Sequence, residues 1–349
     1  MNKPKIGISI GDINGIGPEV VIKTFSDSRM MNQCIPIVYA SIKTMIQHKK
    51  LLSIEKLRFE KIASADKAKE GQLNVINCWN DDVKIALGEV SETAGRMAHV
   101  SLDYCLNDVK EKKIDAMVTA PIHKKSMQLA NFPFAGHTEY LEKETEGKAL
   151  MMLCHEGLRV ALVTTHIPVS EIAKSLDKKR IMSTIERLNT SLKVDFGIES
   201  PQIAVLGLNP HAGDQGVMGD DEAKYIEPAI NEMKRKGLFV HGPFAADGFF
   251  GSSAYQNYDG ILAMYHDQGL VAFKSLSFGN GVNFSAGLNI VRTSPDHGTG
   301  FDIAGKDKAN EGSFRKAVYE AIDINRNRSQ YIEDHKNQLK SSNKRSEKK

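Results

Sequence analysis

Short apolar runs alternate with longer segments of helical period through most of this chain, and that alternation is its strongest constraint on fold. Runs at residues 5–10, 35–40, 73–77, 116–119, 160–164, 203–206, 238–240 and 260–264 have the length of strands. Between two of them, Ala94, Met97, Ala98, Cys105 and Val109 recur near 3.6-residue spacing, followed by Lys110, Lys112 and Lys113, cations that suit a helix C-terminus. A second helix should start near Asp221 and Glu222 and stop at Gly237, after Lys234, Arg235 and Lys236. Strand and helix in repetition mean βαβ crossovers, so the expected fold class is α/β with a largely parallel sheet. At about 150 residues per domain, 349 residues make two domains or one large one.

The texture changes between residues 270 and 293. The turn signal Phe278-Gly279-Asn280-Gly281 precedes apolar runs at 282–284 and 288–291, which read as a hairpin or meander, an antiparallel insert or edge. After about residue 331 the apolar period is lost. The net charge of +3 conceals an asymmetry: six Lys or Arg against Glu347 give residues 336–349 a charge of +5, so the rest of the chain carries −2. That tail is expected to be disordered and is the sole basis for a nucleic-acid-binding reading; neither nucleic acid nor membrane is expected as a partner. Cys34, Cys78, Cys105 and Cys154 show no metal-site spacing and read as reduced thiols. With no run of 18 apolar residues and no room for a signal segment before the first strand, the expected location is the cytoplasm.

Three histidines stand just beyond apolar strands: His166, His211 and His266. In an open α/β sheet ligands gather at the carboxyl ends of strands, so three imidazoles there could converge on a divalent transition metal with an open position, although a single histidine at a strand end is more often structural or merely polar. The segment Gly11-Asp12-Ile13-Asn14-Gly15-Ile16-Gly17-Pro18-Glu19 joins the first strand to a helix beginning at Pro18. Its amides suit an anion, or its glycines serve a tight turn. It is neither GxGxxG nor a P-loop. Lys274, Asn283 and Arg292 punctuate the antiparallel region at strand ends, where they either bind phosphate or carboxylate or are exposed edge residues. His137-Thr138-Glu139 opens onto a helix, with Thr138 available as an N-cap. The polar, glycine-rich stretch from Asp296 to Lys306 suits close approach of backbone to a ligand.

Taken in order, these residues resemble the NAD-dependent 4-hydroxythreonine-4-phosphate dehydrogenases of pyridoxal phosphate biosynthesis. The resemblance runs from Gly7 to about Ala317. It rests on Gly11-Asp12 with Gly15-Ile16-Gly17-Pro18-Glu19, Gly136-His137-Thr138-Glu139, Asn209-Pro210-His211-Ala212-Gly213, Gly242-Pro243 with Ala246-Asp247, Tyr265-His266-Asp267-Gln268-Gly269, and Arg292-Thr293-Ser294-Pro295-Asp296-His297-Gly298-Thr299 through Gly305-Lys306. Two places depart from the family pattern: Asp-Pro-Ala is Asp12-Ile13-Asn14 here, and Gly-Glu-Gly-Gly is Gly213-Asp214-Gln215-Gly216.

The resemblance implies a homodimer whose subunits have two domains, like those of isocitrate and isopropylmalate dehydrogenases, with the active site in the cleft between them. Residues 1–130 with 295–335 would form the cofactor-side domain, and 131–294 the domain of metal, substrate and dimer contacts. His166, His211 and His266 would hold a divalent metal (Zn, Co or Mg), one imidazole crossing the dimer interface. His137, Thr138, Lys274, Asn283 and Arg292 would contact a small phosphorylated hydroxy amino acid. NAD, or NADP, would lie against Asp296, His297, Gly298, Thr299 and Gly305. Asp247 and Lys274 are the catalytic candidates; the base for the hydroxyl proton is either Asp247 or a metal-bound water. The implied reaction is oxidation of 4-phosphooxy-L-threonine, then decarboxylation to 3-amino-2-oxopropyl phosphate. Alternatives are oxidation of D-threonate or D-erythronate 4-phosphate on the same scaffold and, from another class, a zinc hydrolase.

Overall fold

The computed structural model describes residues 3–336, and the tail beyond Lys336, expected to be disordered, lies outside the described residues. Twelve strands form one sheet: β1 (Lys5–Ser9), β2 (Ile35–Ala40), β3 (Phe59–Ile62), β4 (Leu73–Asn77), β5 (Ala116–Thr119), β6 (Gly147–His155), β7 (Leu158–Leu162), β8 (Gln202–Leu206), β9 (Phe239–Phe244), β10 (Gly260–Ala263), β11 (Val282–Leu288) and β12 (Arg292–Pro295). Their order across the sheet is β3-β4-β2-β1-β5-β12-β11-β6-β7-β10-β8-β9. Pairing is parallel from β3 to β12 and again from β7 to β9. Between these blocks, β11 is antiparallel to β12 and β6, and β6 is antiparallel to β7. Three reversals make the two parallel blocks run in opposite directions.

The α/β class is as the alternating pattern requires. The antiparallel segment, however, is the centre of the sheet and not its edge. Lys274 is not part of it: residues 266–277 form a helix, His266–Ser277, ahead of the Gly-Asn-Gly turn. The run at 288–291 is mostly a connection, and β12 starts at Arg292. Two strands carry no clear sequence signal. β3 reads Phe-Glu-Lys-Ile, a half-charged edge, and β6 is rich in Leu and Met, residues that favour helices locally.

Both sheet faces are covered, which explains why the parallel strands are almost continuously apolar. Ile6, Ile8, Val38 and Val118 pack into one layer, while Ile37, Tyr39 and Met117 point into the other. The helix Glu92–Lys110 is capped by Ser91, whose side chain accepts from Ala94 N, and it buries Met97, Leu102 and Leu106. Helix Gly312–Lys336 lays Phe314, Ala317, Val318, Ala321 and Ile324 on the sheet, and its Ala317 carbonyl accepts from Thr293 Oγ1 at 2.7 Å. The four cysteines are unpaired. No described helix is long and apolar enough to cross a membrane.

Candidate functional site

The central antiparallel strands form the floor of a cleft of about 350 Å³. Side chains two residues apart on a strand share a face, so Met151 and Leu153 of β6, Asn283 of β11, and Arg292 and Ser294 of β12 all point into it. Register keeps them adjacent, with Asn283 opposite both Ser294 and Leu153. One wall comes from Thr119, Lys124 and the 135–139 segment, the other from His166 and the helix bearing His266, Leu270 and Lys274. Asp296, His297 and Gly298 complete the rim.

Arg292 dominates this cleft. It is 2% exposed, and its guanidinium donates only to hydroxyls, from Nε and Nη2 to Thr119 Oγ1 (3.0 and 2.7 Å) and from Nη1 to Ser285 Oγ (3.1 Å). No carboxylate among the described residues forms an ion pair with it. Burial lowers its pKa to about 10, opposed by Glu139 nearby, so it remains a cation at neutral pH. Beside it, His137 Nε2 and Asn283 Oδ1 are buried without hydrogen-bond partners. Burial, and then the Arg292 charge, pushes the His137 imidazole well below its usual pKa, leaving it neutral. Lys274 Nζ donates to the Asp296 carbonyl at 3.2 Å. Burial raises the Asp296 carboxyl, against the pull of Lys274 and His297. A buried cation without a counter-charge is costly, and an anion entering here would gain Arg292, Lys274 and Lys124 together.

His166 and His266 stand side by side on one wall of the cleft, with ring centroids 5.8 Å apart. Each Nδ1 meets a carboxylate oxygen, His166 that of Glu139 (3.4 Å) and His266 that of Asp267 (2.7 Å). The His166 hydrogen bond in turn lowers the Glu139 pKa. Such pairing leaves each Nε2 free to donate to a metal, an arrangement typical of metal-binding histidines. The donor chemistry therefore fits a divalent transition ion. Yet among the described residues one chain assembles no group of three or more potential ligands, because His211 does not line this cleft. It is exposed on a loop after β8 where residues 211–215 all have left-handed φ, including four non-glycine positions. Each of those four costs about 1–2 kcal/mol. Asp247 is likewise exposed, on the helix Ala246–Gly251, which packs against the His211 segment.

Of the residues assigned to a nucleotide, Asp296, His297 and Gly298 line the rim, and nothing lies within 4 Å of a Cβ built on Gly298, which leaves room for a flat group. Thr299 and Gly305 stand outside the cleft lining. Thr299 O accepts from Ile16 N at 2.9 Å, and at Gly305 (φ +73°) a Cβ would come within 2.3 Å of Leu87. The loop at 11–17 is a tight turn with its donors engaged: Asp12 N reaches Pro121 O, Asn14 N reaches Asp12 Oδ1, and Gly15 N reaches Asp12 O. It has few amides left for an anion. Thr138 is not an N-cap; it lies within the helix His137–Glu144, which Gly136 precedes. Sequence reasoning missed Thr119, Ser285 and Lys124, which follow from strand register rather than from any motif, and it quoted Glu139 without giving it a role.

The family model for pyridoxal phosphate biosynthetic protein PdxA matches residues 32–321. The chain is 50% identical over 329 residues to 4-hydroxythreonine-4-phosphate dehydrogenase of Bacteroides thetaiotaomicron, covering 94% of this chain and 90% of the relative. It is 36% identical over 327 residues to a putative D-threonate 4-phosphate dehydrogenase of Oceanobacillus iheyensis, covering 92% and 98%. The crystal structure of 4-hydroxythreonine-4-phosphate dehydrogenase from Klebsiella pneumoniae superposes with a TM-score of 0.81 at 33% identity, covering 93% of this chain and 98% of that one. With most of its length matched in sequence and in fold, the chain belongs to the PdxA family of dehydrogenases.

Proposed function

We propose that this chain acts as a homodimer to oxidise the secondary alcohol of 4-phosphooxy-L-threonine with NAD, giving a β-keto acid that loses CO2 to leave 3-amino-2-oxopropyl phosphate. The observation that carries this reading is Arg292, a buried guanidinium without a carboxylate partner among the described residues, set beside atoms of His137 and Asn283 that have no partner there either. A phosphorylated hydroxy acid supplies the anion that Arg292 lacks. Lys274 and Lys124 add positive charge at the rim, and Thr138 and His137 orient the substrate against the floor. Deep seating on apolar Met151, Leu153 and Leu270 excludes water from the reacting carbon.

His166, His211 and His266 would hold a divalent metal, which when bound acidifies the substrate alcohol and draws electrons from the keto group. NAD would lie along the rim at Asp296, His297 and Gly298, supplying the hydride acceptor. Glu139 and Asp267 keep their histidines oriented. A second copy of the chain would bring its His211 and Asp247 to the cleft, where Asp247 would take the hydroxyl proton. Exposed apolar side chains follow each histidine-bearing segment, Val169 after His166, Val217 and Met218 after His211, and Val271 and Phe278 after His266. Exposed apolar side chains beside each histidine are suited to burial between subunits. On this reading the cofactor-side domain is residues 1–130 with 295–335 and the metal, substrate and dimer domain is 131–294, in a cytoplasmic enzyme.

The test is NADH formation from purified 4-phosphooxy-L-threonine, with and without a chelator. Chelator-sensitive turnover is expected; no turnover with this substrate would defeat the reading. Relatives named as putative D-threonate 4-phosphate dehydrogenases at 36% identity favour a second reading. Faster turnover of D-threonate or D-erythronate 4-phosphate in the same assay would select it.

A further inference from the structure

The backbone that presents His211 is held in an uncommon conformation. His211, Ala212, Gly213, Asp214 and Gln215 have φ of 53, 51, 82, 42 and 53° in succession, a left-handed turn that side chains with a Cβ resist. A conformation like this persists only where its surroundings over-determine it. Here the surroundings converge on one carboxylate. Glu222, 3% exposed, accepts from Leu208 N (2.7 Å) and Asn209 N (2.8 Å) through Oε1, and from Asn209 Nδ2 (3.0 Å) through Oε2. Asp221 takes a second contact from the same amide at 3.0 Å. The loop folds directly onto this group. A Cβ on Gly213 would sit 2.6 Å from Glu222 Oε2, and one on Gly207 would sit 2.9 Å from Ala212. Glu222 also opens a π-helical turn, Glu222–Ile226, a local irregularity that often marks functional positions.

We infer that Glu222 is a positioning residue for His211: its buried carboxylate clamps Leu208 and Asn209 and thereby fixes the left-handed turn on which the imidazole is presented. The chemistry requires a carboxylate. Three donors face Glu222, and only an acceptor at both oxygens satisfies them all. In Glu222→Gln the new NH2 would oppose Asn209 Nδ2, or the two backbone amides. In Glu222→Ala the Leu208 and Asn209 backbone amides lose their partner, and Asn209 Nδ2 is left with Asp221 alone. The inference rests on the reading of His211 as a metal ligand, and its test separates the two.

Co2+ is titrated into metal-free full-length protein and followed by its visible absorption, for wild type, Glu222→Gln, Glu222→Ala, His211→Ala and the double variant His211→Ala with Glu222→Gln. Circular dichroism confirms that each is folded. Losing an orienting partner typically weakens metal binding 10–100-fold, so Glu222→Ala should weaken Co2+ at least 10-fold, with Glu222→Gln intermediate and an altered visible spectrum in both. If Glu222→Ala does not fold, Glu222→Gln carries the measurement. In the His211→Ala background Glu222→Gln should cause no further loss, which a merely structural role would not produce. If His211→Ala weakens Co2+ while the Glu222 variants do not, or if the double variant loses both effects additively, the positioning role is overturned. If His211→Ala itself leaves Co2+ affinity unchanged, the ligand reading of His211 fails first and the proposal falls with it.

Discussion

Two arginines, Arg292 and Arg328, are drawn into the protein in opposite ways. Arg328 lies in a groove of about 620 Å³ beneath the end of the C-terminal helix. Its Nε donates to Asp195 Oδ1 at 2.6 Å and its Nη1 to the Leu288 carbonyl at 3.1 Å, while Ser191 Oγ donates to the second Asp195 oxygen at 2.5 Å. That groove is larger than the cleft, but Arg328 and Asp195 within it already satisfy each other. Arg292 donates only to hydroxyls, in a smaller cleft with three further unpartnered polar atoms, His137 Nε2, Asn283 Oδ1 and His297 Nε2. A paired buried charge is a structural element, whereas an unpaired one marks a place prepared for a ligand. Size alone would have selected the wrong concavity.

The contrast can be broken with one substitution on each side. Arg292→Ala should lower kcat/KM by about 10²–10³-fold, the scale of removing one partner of a buried charge pair. Stability should be unchanged or slightly raised, because an uncompensated cation is removed. Asp195→Ala should act in reverse. It leaves Arg328 without its carboxylate and should cost roughly 2 kcal/mol, below the 3–5 of a fully buried pair because Arg328 retains some access to water. Its kcat/KM should stay within about twofold of wild type. Steady-state kinetics and denaturation on the same preparations check both. A large fall in stability for Arg292→Ala with unchanged kcat/KM would make Arg292 structural and dissolve the distinction.

A smaller effect separates two buried bases in the same spirit. His48 Nε2 and His137 Nε2 are both buried without partners. Burial lowers the His48 pKa to about 4 against a hydrogen bond from its ring to the Ile13 backbone, and His137 is lowered by burial and Arg292. In both cases the unfolded chain, near pKa 6.5, binds a proton that the fold refuses. Stability is therefore full above about pH 6.5 and falls with decreasing pH, by about 1.4 kcal/mol per unit for each histidine, until its folded pKa is reached. Equilibrium denaturation between pH 6.5 and 4.5 should show His48→Gln flattening this slope by about one proton. Saturating substrate should relieve the contribution of His137 alone, since a bound anion favours its protonation. Equal effects of ligand on both would place His137 in the core with His48.

How much of this was legible in the sequence depends on the range of the interaction. Periodicity is local, so most of the parallel strands, the 92–110 helix and the stop at Gly237 could be read directly, while the half-charged edge strand β3 could not. The central position of the antiparallel strands could not, because β6 pairs with β11 across about 130 residues of chain and its Leu-Met composition reads as helix. Asn283 and Arg292 were found as polar interruptions of apolar strands, but Thr119 and Ser285, which hold the guanidinium, are ordinary strand residues until register is known. Glu222 was legible only as an acid at a helix start. Its grip on the His211 loop is tertiary.

The smallest expected effect concerns the charge of the C-terminal tail. Residues 336–349 contribute +5 and the remainder −2, so global charge might be credited with attracting an anionic substrate. Exposed charges act over only about 8 Å at physiological ionic strength, whereas Arg292 and Lys274 act from within the cleft itself. Deleting residues 337–349 should therefore change kcat/KM by less than about twofold at physiological salt, with any larger difference confined to low ionic strength, where long-range steering survives. A tenfold rise in KM at physiological salt would show that the tail reaches the substrate, and affinity could no longer be assigned to the unpaired guanidinium and its neighbours alone.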